Sequence, residues 1–244
     1  MKKNKLLFHL IIISFLFLGF YFVLKNTNFK NHPNSLNVQI ISLQEETKLY
    51  KINVEYPTFP EFEKLNLEIK TQVDNKIAEF KKNVATNWSD RKKNALPDEK
   101  LGEFPESPWP MKISWVGDQL NNNNISFILR FDSFQGGASG MQELKTFNYD
   151  SKNNKDIKLA ELFPNNPDYL KTISDFAKTD LTSQFQNDTS FPLDFIDTGT
   201  KPALENFQNF TVSNDSLTFY FPKYQVAPGA YGEEKVVMPR NMTK

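Results

Sequence analysis

The stretch FDSFQGGASG, residues 131–140, holds three of the nine glycines of the chain beside two serines. Glycines gather where backbone must approach a phosphate, a nucleophile's target or another part of the fold. A phosphate-binding loop needs G-x-x-x-x-G-K-[ST], which occurs nowhere here. A nucleophile elbow needs G-x-S-x-G. Gly137 and Ser139 match its first three positions, but Met141 stands where the last glycine belongs.

The two histidines are His9 and His32, and there is no cysteine. Everything after residue 32 therefore lacks imidazole and thiol. That removes Ser-His-Asp and Cys-His catalysis, zinc sites built on histidine or thiolate, and the usual proton shuttle at neutral pH. Carboxylates, lysines and hydroxyls remain. The segment DSKNNKDIKLAE sets Asp150 and Glu161 at the first and twelfth positions of a calcium loop, but Lys152 and Lys155 occupy a ligand position and the glycine position. No metal or cofactor is expected. Two carboxylates about 5–9.5 Å apart would suffice for glycoside hydrolysis, and no pair among the 29 acids identifies itself. A second glycine-bearing stretch, YFPKYQVAPGAYG, frames Tyr224, Gln225 and Tyr231 with Pro222, Pro228, Gly229 and Gly232. Rigid tyrosine rings beside glycines provide contact area at small entropic cost. The alternative is that these rings cover the end of a sheet. The same choice holds for Gly136, Gly137 and Gly140, which serve either a bulged turn between strands or a ligand-facing loop.

The elements that position these loops follow from periodicity. Residues 6–24, LLFHLIIISFLFLGFYFVL, are apolar apart from His9 and Ser14. Nineteen residues make about 28 Å of helix, close to the hydrocarbon thickness of a bilayer. A secretory signal has a shorter apolar core followed by small residues, and the flank KNTNFKNHPN has none. An uncleaved anchor is the expectation, with a cleaved signal as the alternative. Lys2, Lys3 and Lys5 crowd the N-terminal side, which favours a cytoplasmic stub, residues 1–5, and an extracytoplasmic body. Setting those lysines aside leaves the body three charges to the acidic side, a poor match for nucleic acid.

Residues 25–36 read as a polar tether. In YKINVEYP, Tyr50, Ile52, Val54 and Tyr56 alternate with polar residues as a half-buried strand. Phe62, Leu65, Ile69, Val73, Ile77, Phe80 and Val84 recur in steps of three and four, predicting a long helix that fades near Trp88. A proline-rich loop precedes the strand MKISWVG. An asparagine turn at 121–124 precedes a strand on which Ile125, Phe127, Leu129 and Phe131 alternate. The strand ELKTFNYD and the short element IKLAELF follow the glycine loop. A second helix, beginning near Asp168, buries Tyr169, Leu170, Ile173, Phe176, Ala177, Leu181 and Phe185. Strands near NFTVS, LTFYFP and KVVMP close the chain. Irregular alternation of strands and helices predicts an α+β fold, with mostly antiparallel sheets and two main helices packed on them. The division expected is an N-terminal half, 37–135, and a C-terminal half, 136–244.

The fragments FILRFDSFQGGASG, FNYD, LAELF, NFTVSNDSLTFYFPKYQVAPGAYG and VVMP occur in that order. Together they resemble the extracytoplasmic domain shared by the anti-sigma factor RsiV and the non-catalytic part of the deacetylase PdaC, over about residues 40–240. This resemblance implies a two-part α+β domain outside a bacterial membrane. It implies lysozyme or a cell-wall polysaccharide as the kind of partner. Many members carry G-G-A-H-G where this chain has Ser139, and the metal-binding histidines of the PdaC catalytic domain have no counterpart. The expectation is a membrane-anchored binding module for peptidoglycan or a lysozyme-like protein, without a catalytic residue. Its candidate ligand-binding residues are Ser133, Gly136, Gly137, Ser139, Tyr224, Gln225 and Tyr231. A structural envelope protein and a carboxylate-dependent glycan enzyme are the alternatives.

Overall fold

A computed structural model describes residues 21–26, 36–121 and 123–243. Its framework is a sheet whose seven strands lie in the order of the sequence. They are β1 (Tyr21–Asn26), β2 (Gln39–Glu46), β3 (Tyr50–Thr58), β4 (Trp109–Leu120), β5 (Asn124–Ser133), β6 (Met141–Asp150) and β7 (Lys155–Asp156). All neighbours are antiparallel except β3 and β4, which pair in parallel from Tyr50↔Trp109 to Val54↔Ile113. A parallel pair needs a long crossover, and α1 (Glu63–Lys93) supplies it.

The predicted apolar stripe is the face of α1 that meets the sheet. Leu65, Ile69, Val73, Phe80 and Val84 are buried against Ile52, Val54, Ile113, Ile125, Phe127 and Leu129. No side chain caps the helix at Phe62. Instead Asn66 in the first turn ties back to Phe59, accepting from its N–H at 2.8 Å and donating to its carbonyl at 2.7 Å. The helix runs past Trp88 to Lys93, ending on Arg91, Lys92 and Lys93, the charge that suits a helix C-terminus.

The second unit has a three-stranded sheet, ordered β10-β9-β8, from β8 (Phe210–Val212), β9 (Ser216–Phe221) and β10 (Glu234–Pro239). Helices α2 (Tyr169–Phe185) and α3 (Asp194–Gly199) close over it. Ile173, Ala177 and Leu181 of α2 share a core with Phe207, Leu217, Phe219, Phe221, Val236 and Met238. The mixed α+β class with mostly antiparallel strands thus matches the expectation from periodicity.

Two expectations change. The cores divide between β7 and residue 159, not at 135, because β6 pairs with β5 along its whole length across the glycine loop. In addition, Tyr21–Leu24 belong to β1 and pair with β2, so the last four residues of the expected membrane helix and the first two of the tether are strand. Apolar β-branched and aromatic residues suit a strand as well as a bilayer. Residues 6–20 lie outside the described residues. Among the described residues no helix is long and apolar enough to cross a membrane.

The two units meet through a face of β5 that alternation alone assigns to solvent. Ser126 and Ile128 are as buried as Phe127. Here the unpaired edge of β8 rests on side chains of the large sheet. Ser126 Oγ accepts from Val212 N–H at 2.8 Å and donates to Asn148 Oδ1 at 2.6 Å. Asn148 Nδ2 donates to the Phe210 carbonyl at 2.7 Å, and Thr146 Oγ1 accepts from Phe210 N–H at 3.2 Å. An open strand edge buried without partners would cost about 1–3 kcal/mol per group. Three short polar side chains prevent that and fix how the small sheet sits.

Candidate functional site

The glycine loop, the β2–β3 turn, the C-terminal end of α1 and the proline-rich loop before β4 gather at one end of the large sheet, because β4 begins where β5 ends (Met111↔Ser133). Trp109 is the centre of this end. Its ring meets Trp88 and Phe134 edge-on, at centroid distances of 5.8 and 5.6 Å. Gly136 lies against that ring with φ +89°, and a Cβ there would stand 2.2 Å from it. Asn83 and Asn87 of α1 donate to the Gln135 side chain and carbonyl, at 3.1 and 2.8 Å. Gln135 Nε2 in turn donates to Ser133 Oγ at 3.1 Å. Ser133 and Gly136 therefore hold the loop to the sheet and helix. Gly137 and Ser139 form its exposed tip.

At this end of the sheet the 46–48 turn forms an open pocket of about 540 Å³ with Phe104, Pro105, Glu106 and Pro108. Lys48 sits over the Phe104 ring at 5.7 Å. Under the turn, Glu45 is 4% exposed and accepts from Tyr50 Oη at 2.7 Å and Lys81 Nζ at 2.6 Å. Burial, then the Glu45 hydrogen bond, pushes the Tyr50 phenol well above its ordinary range. This carboxylate ties β2 to α1.

The tyrosine loop, 222–233, leaves β9 toward the same end, and Glu233 at its close clasps Arg130 of β5. Arg130 Nε and Nη2 donate to the two Glu233 oxygens at 2.7 and 2.6 Å, with Arg130 5.7 Å from the Tyr220 ring. Arg130 precedes Ser133 by three residues, about 10 Å along a strand. The close of the tyrosine loop thus lies near the glycine-loop end of β5, whereas the contacts of Tyr224, Gln225 and Tyr231 are with Gly229, Gly199, Asn206, Asp188, Phe185 and Phe191 of the second unit.

Within the tyrosine loop, Tyr224 has φ +71° and lies over Gly229, where a Cβ would stand 2.2 Å from the ring. Its side chain is 60% exposed. Gln225 instead points inward, and both of its amide hydrogens are used, on the carbonyls of Gly199 and Asn206 at 3.0 Å each. Tyr231 stands edge-on to Phe185 and Phe191 and donates to Asp188 Oδ2 at 2.6 Å. Leu193 and Leu204, each 53% exposed, sit on the segments these contacts bring in: Leu193 follows Phe191, and Leu204 precedes Asn206. Periodicity gave no sign of Asp188 or Asn206, which reach the loop from 43 and 19 residues away in sequence.

The Tyr231 hydrogen bond, followed by those from Ser190, holds the Asp188 carboxyl below the usual aspartate range, and the same bond raises the Tyr231 phenol. A depressed carboxyl stabilises the fold above its unfolded pKa of about 3.9, and that contribution is lost as pH falls through the lower folded value. Tyr231→Phe is expected to return the Asp188 titration toward the ordinary value, read from its side-chain carboxyl carbon by NMR.

Burial first, and Glu233 second, raise the Glu234 carboxyl above its ordinary range. Among the described residues no group of three or more His, Cys, Asp or Glu side chains is placed to hold a metal ion.

Two family models match this chain. One, described as Deacetylase PdaC, covers residues 43–142, and the other, a protein of unknown function designated DUF3298, covers residues 160–241. The peptidoglycan-N-acetylmuramic acid deacetylase PdaC of Bacillus subtilis is 26% identical over 208 residues, 85% of this chain and 41% of the relative. An esterase of Mycobacterium tuberculosis is 31% identical over 117 residues, 48% of this chain and 49% of the relative. The chain spans about half the length of these curated relatives. Crystal structures of DUF3298 family proteins share the fold. The one from Bacteroides fragilis has TM-score 0.60 at 19% identity, covering 89% of this chain and 93% of that one. The one from Pseudomonas aeruginosa has TM-score 0.58 at 16% identity, covering 85% and 92%.

Proposed function

Because the chain belongs to the PdaC/DUF3298-like domain family, we propose that it is a membrane-anchored, extracytoplasmic binding module for an envelope ligand, either peptidoglycan or a protein such as lysozyme. The observation that carries this reading is the exposed Tyr224 ring, which the backbone holds out over Gly229. Gln225 below it is fixed by two backbone carbonyls, so little conformational entropy remains to be lost when the ring is covered. Tyr231, Leu193 and Leu204 are further exposed apolar side chains of the same unit. An apolar ring with a polar tip suits both the face of a sugar and a cleft in a protein. The PdaC relative is a peptidoglycan deacetylase by name, which supports an envelope setting. Anchoring would come from the apolar run 6–24.

Imidazole and thiol are missing from the sequence beyond residue 32, and two acids at this end, the buried Glu45 and the half-buried Glu233, are engaged by Lys81 and Arg130. Gripping a ligand therefore suits these side chains better than transforming it. The test is retention of the purified full-length chain, in detergent, on insoluble peptidoglycan and on lysozyme-coupled resin. Binding to one of them is expected, and Tyr224→Ala is expected to weaken it at least tenfold with an unchanged melting temperature. A folded chain retained on neither would end this reading.

A further inference from the structure

Residues Tyr21–Leu24 are claimed by two structures. In the sequence they complete the apolar run 6–24, whose nineteen residues reach about 28 Å as a helix. In the fold they open β1, which pairs with β2 from Tyr21↔Gln44 to Asn26↔Gln39. One backbone cannot bond along a helix and across a sheet at once. If β1 keeps its pairing, residues 6–20 alone remain for the bilayer, about 22 Å of helix against a hydrocarbon core of about 30 Å.

The edge that β1 covers does not depend on β1 for its shape. On its inner side β2 pairs with β3 along all eight of its residues. Ile40 is buried, Ile41 and Leu43 pack on the core, and Glu45 is held between Tyr50 and Lys81. The strand can therefore lose its outer partner and stay in place.

We propose that Tyr21–Asn26 is a releasable strap. It lies on β2 while the apolar run is outside a bilayer and leaves β2 when the run inserts. The inference rests on the anchoring part of the reading above. Its consequence is a change in reach. With β1 docked, the strand begins at the residue that follows the short helix, and the sheet edge is held at the headgroups. With β1 released, residues 25–38 separate the bilayer from β2, and fourteen extended residues span at most about 48 Å. The released domain gains that standoff, and with it access to ligands away from the membrane surface.

The chain contains no cysteine, so a pair placed at register partners reports the pairing directly. Antiparallel partners lie about 4.5–5.5 Å apart at Cα, within disulfide reach. Full-length chain carrying Val23→Cys and Ser42→Cys would be placed in phosphatidylethanolamine–phosphatidylglycerol vesicles and mildly oxidised. The same pair would be tested in a chain kept out of the bilayer by Ile13→Lys and Phe17→Lys. A second pair, Leu24→Cys with Ile41→Cys, guards against a local failure at the first. The cross-linked fraction is expected to be at least fivefold higher in the non-inserting chain than in chain that floats with the vesicles. Equal cross-linking in both, or none in either with both pairs, overturns the strap. Flotation is read on the same samples. A chain that does not float overturns the anchoring reading and the strap with it, whereas a floating, cross-linked chain overturns the strap alone.

Discussion

Gly199→Ala is expected to destabilise the fold by about 3 kcal/mol, the upper end of what overpacking costs. For a domain of this size that corresponds to a fall in melting temperature of roughly 6–12 °C, measured by thermal unfolding. A Cβ at this position, the last of α3, would stand 2.1 Å from the Gln225 carbonyl oxygen, 2.7 Å from its carbon and 2.8 Å from Val226 Cγ1. Two of those three atoms are backbone, so no rotamer change relieves the overlap. The segment that must yield is the one whose amide is bonded to the Gly199 and Asn206 carbonyls and which presents Tyr224. Gly137→Ala makes the contrast, since its Cβ would meet only the Ser139 carbonyl, at 3.9 Å. That change should stay within about 0.5 kcal/mol. If both substitutions were tolerated equally, the close packing of α3 on the tyrosine loop would be wrong.

These two glycines also show what a sequence discloses and what it conceals. Gly137 sits in a conspicuous cluster and meets almost nothing, while Gly199, in the unremarkable stretch FIDTGTKP, meets backbone. Clustering is visible along the chain, but close approach between residues 199 and 225 is not. The same holds for the elements. The stripe on α1 repeats from Leu65 to Val84, and Tyr50, Ile52, Val54 and Tyr56 alternate along their strand, so both are legible as period. β2, QIISLQEE, alternates poorly because both of its edges pair while its faces are only partly covered, and periodicity does not mark it. On β5 the polar residues Ser126 and Arg130 read as a solvated face, yet their partners Val212 and Glu233 lie 86 and 103 residues away. Polar side chains that satisfy a distant strand edge look like surface until that edge is in view. At the site, the tyrosines were legible as types, and the scaffold that aims them, Asp188, Gly199 and Asn206, was not.

The clasp between the two units sets the second large effect. Glu233→Ala leaves the Arg130 guanidinium, 21% exposed, with the Tyr220 ring and no bidentate carboxylate. Removing one partner of a fully buried pair costs about 3–5 kcal/mol. At this partial exposure about 2–3 kcal/mol is expected, read by denaturant unfolding. The Glu233 hydrogen bonds raise the Arg130 pKa, so the guanidinium stays charged throughout the accessible pH range and the loss does not vary with pH near neutrality. Arg130→Met with Glu233→Leu should cost less than Glu233→Ala alone, because no charge is then left without its partner. The favourable coupling expected between the two positions, of order 1–3 kcal/mol, separates a true clasp from two independent side chains, and strict additivity would exclude one. Binding provides the sharper contrast. The apolar pair restores packing without the fork geometry that fixes where the 222–233 loop meets β5. The double variant should therefore recover most of the stability while retaining less ligand than wild type. Stability and retention recovering together would show that the clasp merely fills space, and that Tyr224 is positioned by α3 and Gly229 alone.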